Sequence, residues 1–312
     1  FDFIFAIFYT YSMLVRKEKI KSFDLIIYFP EKFILKPFSF RNYDKYVNSE
    51  EINLRIQKMI LPLGHSFNCI NKTIFVNNEK ELLEKIHEYS IIYPRNYHSK
   101  YFLIAPLEFI KGYKFLNEIV IFNAPFLIPK ISSFFNKKKS TNNILHENYI
   151  TLTLRDYGYS PLRNTNQLDV NKANEVANFL KLKLVIVPDN IGNLKNYTFK
   201  SDNIICKEAR EDMYSRIKLY SKSKLNLFTT SGAIFVSLFL KRTKTIILNF
   251  CPGGYDADER YYKKVYNIKV GDQPYIQLGG YLLWQDQYPQ YTSKDVLYFY
   301  KKLSDKNKST IY

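Results

Sequence analysis

The fold is decided by four apolar runs in the second half of the chain: YITLTLR (residues 149–155), LKLVIVPD (182–189), LNLFTTSG (225–232) and TIILNF (245–250). Within their apolar stretches these runs are continuous rather than alternating, which is typical of strands buried on both faces. Segments with helical spacing separate them. Alternation of such strands with helices predicts a parallel sheet covered by helices on both sides, so we assign the chain to the α/β class.

The first half of the chain carries a less regular version of the same pattern. The apolar runs FDLIIYF (23–29) and KTIFV (72–76) predict strands, and helical spacing recurs in residues 49–60 and 78–89. A polar, lysine-rich segment at 134–148 has no hydrophobic period and predicts an exposed linker. We therefore expect two Rossmann-like domains with parallel sheets that face a cleft. The expected domains are residues 1–140 and residues 141–312.

The chain opens with the apolar stretch FDFIFAIFYTYSMLV (1–15). Asp2, Thr10 and Ser12 interrupt this stretch, and it is shorter than the roughly 20 residues that span a bilayer. It therefore predicts a buried helix rather than a membrane anchor, and it lacks the charged start of a signal peptide. Phe1 is not an initiator methionine, and the sequence leaves open whether further residues precede it.

The composition is that of a soluble globular protein with a strongly basic balance. The 46 basic residues outnumber the 29 acidic ones and leave a net charge of +17. Such a charge attracts phosphates, nucleotides or an anionic membrane surface, although lysine-rich codon usage also accounts for part of it. Cys69, Cys206 and Cys251 lie far apart without metal-ligand spacing, which favours a reducing, cytoplasmic compartment.

Two arginines follow the first strand of the second half. Arg155 ends that strand, and Arg163 with Asn164 follows in the same loop before the next helix. Ligands of parallel α/β sheets bind outside the carboxyl ends of the strands. Two guanidinium groups at such a position can hold a diphosphate through paired, charge-assisted hydrogen bonds. The alternative is a surface salt bridge of one arginine with Asp156 or Asp169.

Polar residues also follow two other strands. Asp189 ends LKLVIVPD, where its carboxylate would accept hydrogen bonds from a ribose or sugar hydroxyl, or would serve only as a turn or capping residue. The turn Thr230-Ser231-Gly232 separates a strand from an apolar helix. Small hydroxyls and free main-chain N–H groups at a helix N-terminus suit an anion, although Ser or Thr there is also an ordinary N-cap.

Other motifs carry less information. Asp256-Ala257-Asp258 has the D-x-D pattern that holds a divalent metal under a nucleotide diphosphate, but so short a match arises easily by chance, and we expect no metal site. The chain lacks a P-loop, a G-x-G-x-x-G fingerprint and a G-x-S-x-G elbow, which counts against P-loop hydrolysis, dinucleotide redox chemistry and α/β-hydrolase catalysis. His65 is a candidate general base at the cleft, or simply a surface histidine.

The order of these features resembles a group of bacterial glycosyltransferases with a GT-B-like donor half. In that family an arginine-bearing strand end, an Arg-Asn pair and a small-residue turn before a helix recur in this order. Relatives often have Asn-Gly-Pro at the turn where this chain has Thr230-Ser231-Gly232, so the side chains of the turn differ from the family pattern. The resemblance is carried by ITLTLRDYGYSPLRNTN (150–166), LVIVPD (184–189), MYSRIKLYSKSKLNLFTTSGAIFVSLFLK (213–241) and, in the first half, RIQKMILPL (55–63).

This resemblance implies an enzyme that transfers a sugar from a nucleotide-sugar donor to a glycan or lipid-linked acceptor. The donor would bind in residues 141–312, and the acceptor would face residues 1–140. Such enzymes generally use no metal and no cofactor, because basic side chains and a helix N-terminus neutralise the leaving diphosphate. Asp2 and His65 are candidates for the base that the acceptor hydroxyl needs.

The resemblance also implies a cellular setting. The implied setting is bacterial surface-polysaccharide or lipopolysaccharide assembly at the cytoplasmic face of the inner membrane. A basic surface would hold a cytoplasmic enzyme there as a peripheral protein.

Two other functions compete with this interpretation. The net charge and the many aromatic residues also fit a nucleic-acid-binding protein, whose aromatic side chains stack on bases. The aromatic residues recur at core spacing, however, and the lysines are dispersed, so we expect no nucleic acid. The second alternative is a carbohydrate-binding relative that has kept the fold and lost the activity.

Overall fold

The computed structural model describes residues 2–28, 56–76, 78–92, 130–131, 148–158, 160–189, 191–254 and 258–309. Its strands are β1 (Phe23–Tyr28), β2 (Ile70–Val76), β3 (Tyr149–Thr153), β4 (Lys183–Val187), β5 (Ile204–Ile205), β6 (Asn226–Thr229), β7 (Thr245–Phe250) and β8 (Gly280–Trp284). Its α-helices are α1 (Asp2–Glu18), α2 (Leu61–Ser66), α3 (Glu79–His87), α4 (Gln167–Leu180), α5 (Glu208–Glu211), α6 (Met213–Lys222), α7 (Ile234–Leu238), α8 (Glu259–Tyr261) and α9 (Ser293–Ser309). Short 3₁₀ segments are Pro161–Arg163, Ile191–Asn196 and Ile276–Leu278, and π-helical turns are Ile56–Ile60 and Tyr262–Tyr266.

Six strands form one parallel sheet in the order β5-β4-β3-β6-β7-β8. All neighbouring pairs in it are parallel, which confirms the α/β class and the parallel sheet predicted for the second half. From β3 the chain builds outwards through β4 and β5, and then crosses back to place β6 on the other side of β3. The strand order therefore reverses between β3 and β6, where parallel α/β sheets open a crevice for ligands.

Helices cover both faces of this sheet, as the continuous apolar strands predict. On one face, Val176 of α4 and Phe299 of α9 are buried in one cluster with Ile246 of β7. On the other face, the Tyr220 ring of α6 packs edge-on against Phe228 of β6, with ring centroids 5.3 Å apart. Apolar strands thus lie between two helical layers, and only their ends remain open to a ligand.

The described residues of the first half extend this core. Strands β1 and β2 form a second parallel sheet of two strands. Helix α1 packs on the large sheet's helical layer, because the Phe8 ring meets Phe239 edge-on at a centroid distance of 5.7 Å. The main-chain N–H of Ile131 also donates to the carbonyl oxygen of Phe239 at 2.9 Å. Apart from Asn148, the expected linker lies outside the described residues, and the boundary between residues 140 and 141 stays a prediction.

Helix α1 is the helix predicted from the opening apolar stretch. Its residues Ile4, Ile7 and Phe8 are buried within the protein. The interrupting Ser12 is accommodated by its own helix, since its hydroxyl donates to the carbonyl oxygen of Phe8 at 2.8 Å. In the parts of the chain that the structure describes, no helix combines the length and the apolar character needed to cross a membrane.

A buried polar network ties the central strands to each other and to the helices behind them. The Asn226 side chain on β6 accepts a hydrogen bond from the Thr151 hydroxyl at 2.7 Å and donates to the carbonyl oxygen of Tyr220 at 3.1 Å. It also donates to the Ser237 hydroxyl at 3.1 Å, which in turn lies 2.7 Å from the Thr245 hydroxyl. Because all these groups are buried, each must find its partner inside the protein.

We predict that Asn226→Ala lowers the free energy of unfolding by about 2–4 kcal/mol, because the Thr151 and Ser237 hydroxyls lose a buried partner. Chemical denaturation of the purified variant measures this loss. Asn178→Ala on the exposed side of α4 is the matched control and should change the stability by only a few tenths of a kcal/mol. Equal stability of the two variants would show that the network contributes little.

Candidate functional site

The loops that follow β3 and β6 meet at the point where the strand order reverses. The Nε of Arg163, in the loop after β3, donates to the carbonyl oxygen of Thr230, in the turn after β6, at 3.2 Å. Below this contact the Thr165 and Thr229 hydroxyls lie 3.1 Å apart. The arginine loop and the small-residue turn, separated by more than sixty residues in sequence, therefore form one site at the edge of the sheet.

Arg155 is a structural support of this loop. Its side chain is only 7% exposed, and its Nη1 donates to the carbonyl oxygen of Ser160 at 2.9 Å and to Oδ1 of Asn164. Its main-chain N–H donates to the Thr165 hydroxyl at 2.8 Å. Both of these Nη1 acceptors belong to the loop itself.

Asn164 closes the same loop from its other end. Its Oδ1 also accepts from the main-chain N–H of Tyr157 at 3.1 Å, and its Nδ2 donates to the carbonyl oxygen of Tyr157 at 3.1 Å. Ser160 has a left-handed conformation with φ of 55°, after which Pro161 starts the 3₁₀ turn that ends at Arg163. Asn164 thus fixes the loop so that Arg163 faces the turn after β6.

Two buried hydroxyls lie in that turn without a hydrogen-bond partner among the described residues: Thr230 Oγ1 and Ser231 Oγ. A buried hydroxyl without a partner costs about 1–3 kcal/mol. The expected capping role does not account for them, because α7 starts at Ile234, its N-cap is Ala233, and no side chain caps it. With five residues, α7 is also shorter than the predicted helix. The hydroxyls of the turn and the Arg163 side chain, rather than the dipole of a long helix, are therefore the groups that could bind an anion here.

Asp189, after β4, is joined to the same loop. Its Oδ2 accepts a hydrogen bond from the main-chain N–H of Asp156 at 3.3 Å, and its carbonyl oxygen accepts one from Nε of Arg210 at 2.7 Å. Asp189 is half-buried. Its carboxylate therefore borders the site and ties the end of β4 to the start of the arginine loop. Sequence reasoning did not find Arg210, which lies 21 residues further along the chain on α5.

A second cluster, centred on Asp169, was also missed. Asp169 is 1% exposed, and its Oδ1 accepts from the Tyr291 hydroxyl at 2.5 Å and from Nδ2 of Asn249 at 2.9 Å. Its Oδ2 accepts from the main-chain N–H of Asn166, whose own side chain accepts from the main-chain N–H of Asp169, each at 2.9 Å. The local signal was the pair Asn166 and Asp169 at capping-box spacing. Tyr291 and Asn249 have no such signal.

Burial decides the protonation behaviour of this carboxyl. Desolvation raises the pKa of Asp169 above its ordinary 3.8, against the hydrogen bonds from Asn166, Tyr291 and Asn249 that lower it. Lys172, one turn further along α4, places its Nζ 3.8 Å from the centre of the Tyr291 ring. The cluster therefore carries one buried carboxyl and one nearby cation at the N-terminal end of α4.

A cavity of about 570 Å³ opens beside the two clusters. Its wall joins the arginine loop, the first turns of α4, the end of β7 and the segment between β8 and α9. A volume of this size is ordinary for a small-molecule site. The lining residues are Leu162, Asn164, Asn166, Leu168, Asp169, Lys172, Asn249, Pro252, Gln285, Pro289, Gln290, Tyr291 and Thr292.

The predicted catalytic residues lie on other elements. His65 is exposed on α2, a helix that packs against β2 and α6. Asp2 begins α1, and its side chain lies outside the described part of the structure. In the D-x-D motif only Asp258 is described; its Oδ1 accepts from the main-chain N–H of Tyr261 at 2.6 Å and caps α8. Within the described ranges no group of three or more His, Cys, Asp or Glu side chains has the geometry of a metal site.

Comparisons with known proteins leave the family open, because no protein-family model matches the chain. The chain is 26% identical over 203 residues to the histone acetyltransferase type B catalytic subunit of Schizosaccharomyces pombe (strain 972 / ATCC 24843), which covers 61% of this chain and 48% of that protein. It thus spans about half the length of this curated relative. Among solved structures, the beta Kdo 2,4 transferase KpsC of Thermosulfurimonas dismutans aligns with 55% of this chain and 54% of its own at 8% identity. With a TM-score of 0.31, this likeness carries no argument.

We predict that Tyr291→Phe lowers the free energy of unfolding by about 1–3 kcal/mol at neutral pH, because the Asp169 carboxylate loses a buried donor. The pKa of Asp169 is higher in the folded protein than the 3.8 of the unfolded chain. The protonated carboxyl therefore contributes its full stability below pH 3.8, and this contribution is lost as the pH rises through the pKa of the folded protein. Removal of the Tyr291 hydroxyl raises the folded pKa further and enlarges that loss. The effect of the substitution should therefore be smaller in acid than at neutral pH.

Chemical denaturation at several pH values measures this difference. Tyr288→Phe is the matched control, since Tyr288 lies in the same segment and packs edge-on against Phe299 through its ring. A pH-independent effect of Tyr291→Phe, equal to that of the control, would contradict the assignment of a charged carboxylate to this cluster.

Proposed function

We propose that the protein is a glycosyltransferase that binds the diphosphate of a nucleotide-sugar donor where the loops after β3 and β6 meet. The observation that carries the proposal is the pair of buried, unpartnered hydroxyls of Thr230 and Ser231 next to the guanidinium of Arg163. Phosphate oxygens accept hydrogen bonds from both kinds of donor. A bound diphosphate would therefore supply the partners that these hydroxyls lack.

The residues of the site take two roles in this proposal. Arg163, Thr230 and Ser231 contact the diphosphate, and Gly232 contributes only main chain to the turn. Arg155, Asn164 and Asp189, whose described side-chain hydrogen bonds go to the loop, are positioning residues. As the sugar leaves the donor, negative charge grows on the diphosphate, and preorganised donors that stabilise this charge lower the barrier.

The proposal includes a setting and an acceptor. The net charge of +17 favours phosphorylated donors and an anionic membrane surface. We propose a glycan or lipid-linked acceptor, a peripheral position at the cytoplasmic face of the membrane in polysaccharide or lipopolysaccharide assembly, and no requirement for a metal or cofactor. His65 and Asp2 stay the candidate general bases. In the proposed arrangement the acceptor lies on the side of residues 1–140.

The competing functions make different demands on the same site. An acetyltransferase, the activity in the name of the yeast relative, would use acetyl-coenzyme A, which also carries a diphosphate. A nucleic-acid-binding protein would bind many phosphates and lose affinity steeply with salt. A ligand screen separates these classes, because their ligands share phosphate but differ in everything attached to it.

We predict that a nucleoside diphosphate and its sugar raise the melting temperature of the protein without magnesium. A ligand at 100 times its dissociation constant adds about 2.7 kcal/mol of stability, which a thermal-shift screen detects. The screen contains nucleoside diphosphates, their sugars, acetyl-coenzyme A and a DNA oligonucleotide at fixed salt. A shift only with acetyl-coenzyme A or DNA would overturn the proposal. A shift only with magnesium would contradict its metal-free form.

We predict that Arg163→Ala weakens binding of the nucleoside diphosphate by about 10- to 100-fold, the effect of one lost charge-assisted hydrogen bond. Isothermal titration calorimetry measures the change. Arg260→Ala removes the same charge from a side chain that is 95% exposed on α8, and should leave the affinity within about twofold. If both variants bind like the parent protein, Arg163 does not contact the ligand.

Thr230→Val tests the unpartnered hydroxyl. Since the substitution removes a buried hydroxyl that has no partner among the described residues, we expect it to raise the unfolding free energy by about 1 kcal/mol. The same substitution should weaken diphosphate binding by about 3- to 10-fold. Opposite effects on stability and affinity are expected of a ligand-binding hydroxyl. A loss of stability together with unchanged affinity would assign Thr230 a purely structural role.

A further inference from the structure

The cavity beside the arginine loop has a wall of uncharged hydrogen-bonding groups. Amide side chains come from both the sheet side and the helix side, and hydroxyls come from the segment before α9. An amide carries both donors and an acceptor, and so does the hydroxyl of a sugar. The uncharged polar lining residues are Asn164, Asn166, Asn249, Gln285, Gln290, Tyr291 and Thr292.

The two charged residues of the wall are already engaged. The Asp169 carboxylate accepts three hydrogen bonds from protein groups, and the Lys172 ammonium lies over the ring of Tyr291. Their charges are opposite and interact, so the wall has no net charge that would select a charged ligand. Apolar groups, among them Leu162 and Leu168, complete the wall, and both are more than half exposed on this side of the protein. Such a mixture suits a ligand with a hydroxylated edge and an apolar C–H face.

The backbone at the end of β7 is distorted where it enters this wall. Asn249 and Cys251 have left-handed conformations with φ of 48° and 65°, and the pairing of β7 with β8 shifts register between Ile247 and Phe250. Non-glycine residues adopt such conformations at a cost, and irregular strand ends re-aim side chains near functional sites. Here the distortion brings the Asn249 amide to Asp169 at the cavity wall.

The cavity borders the loop that carries Arg163. Leu162 and Asn164 line it, and both flank Arg163 in the same loop. A group attached to a phosphate held by Arg163 would therefore start beside two residues of the cavity wall.

We propose that this cavity binds an uncharged pyranose ring. The inference rests on the proposed function and deepens it, since a glycosyltransferase must bind a sugar beside the diphosphate. The ring comes either from the donor or from the acceptor, and the chemistry of recognition is the same in both cases. Amides of the wall bind its hydroxyls, and the leucines and prolines pack against its C–H face.

The test fills the cavity and compares ligands with and without a sugar. Gln290→Trp places a large side chain at an exposed position of the wall. Gln287→Trp is the matched control, because Gln287 is exposed in the same segment and is not among the lining residues described. The probes are UDP and GDP, UDP-glucose and GDP-mannose, and the free methyl glycosides of glucose and mannose. Calorimetry measures the affinities of the nucleotides and sugar nucleotides, and saturation-transfer NMR detects binding of the glycosides.

If the ring is the donor's, Gln290→Trp lowers the affinity for the sugar nucleotide by about tenfold or more and leaves the affinity for the nucleoside diphosphate unchanged. If the ring is the acceptor's, sugar-nucleotide affinity is unchanged, and the glycoside signal is lost in Gln290→Trp but kept in Gln287→Trp. Sugar-nucleotide affinities and glycoside signals that are the same in the two variants would overturn the inference, even if both bind nucleotide well.

Failure of the proposed function has a different signature. In that case neither the parent protein nor the variants bind any nucleotide or sugar nucleotide, whatever stands at position 290. The glycoside measurement then tests the cavity by itself. A glycoside signal that Gln290→Trp abolishes and Gln287→Trp keeps supports binding of a pyranose ring in the cavity. The absence of any glycoside signal in the parent protein overturns the inference.

Discussion

The pairing of β3 with β6 is the constraint on which the rest of the structure depends. It joins two parts of the chain that are more than seventy residues apart, through main-chain bonds such as that from the Thr151 N–H to the Leu225 carbonyl oxygen at 2.9 Å. The buried bond between the Thr151 hydroxyl and the Asn226 side chain strengthens the same junction. Because the helices after β3 and β6 leave towards opposite faces of the sheet, the two loops diverge above this pair and leave a crevice. Every residue proposed to contact the diphosphate borders that crevice.

Around the crevice, some polar groups have hydrogen-bond partners, and others have none among the described residues. Arg155 and Asn164 bond to their own loop and give it one conformation. Thr230 and Ser231, in contrast, keep buried hydroxyls without a partner among the described residues, at a cost to the free protein. A rigid loop opposite unpartnered donors is the arrangement expected of a site that is organised before its ligand arrives. Arg155, a predicted ligand-binding residue, has its described side-chain hydrogen bonds to Ser160 and Asn164 of the loop.

Asp169 connects this crevice to the end of β7 and to the segment before α9. As part of a capping box with Asn166 it fixes the start of α4, and through Asn249 and Tyr291 it holds the end of β7 and the segment before α9. Three elements that are distant in sequence are thus joined by one buried carboxyl, which can stay there because each of its bonds offsets part of the cost of desolvation. The cavity lies among these elements, so its shape depends on the same carboxyl that begins the helix.

The sequence by itself determined the class of the fold and the order of β3, β4, β6 and β7 with the helices between them, because apolar runs and helical spacing are local properties. It also placed Arg155, Arg163 and the Thr230 turn after the strands that carry them. It did not predict β5 and β8. Only the tertiary structure decided that Arg155 turns inward, that α7 is too short and too poorly capped to bind an anion by itself, and that Asp169 meets Tyr291 across 122 residues. These outcomes depend on which polar group finds a partner when distant segments pack together, and no spacing along the chain records that choice.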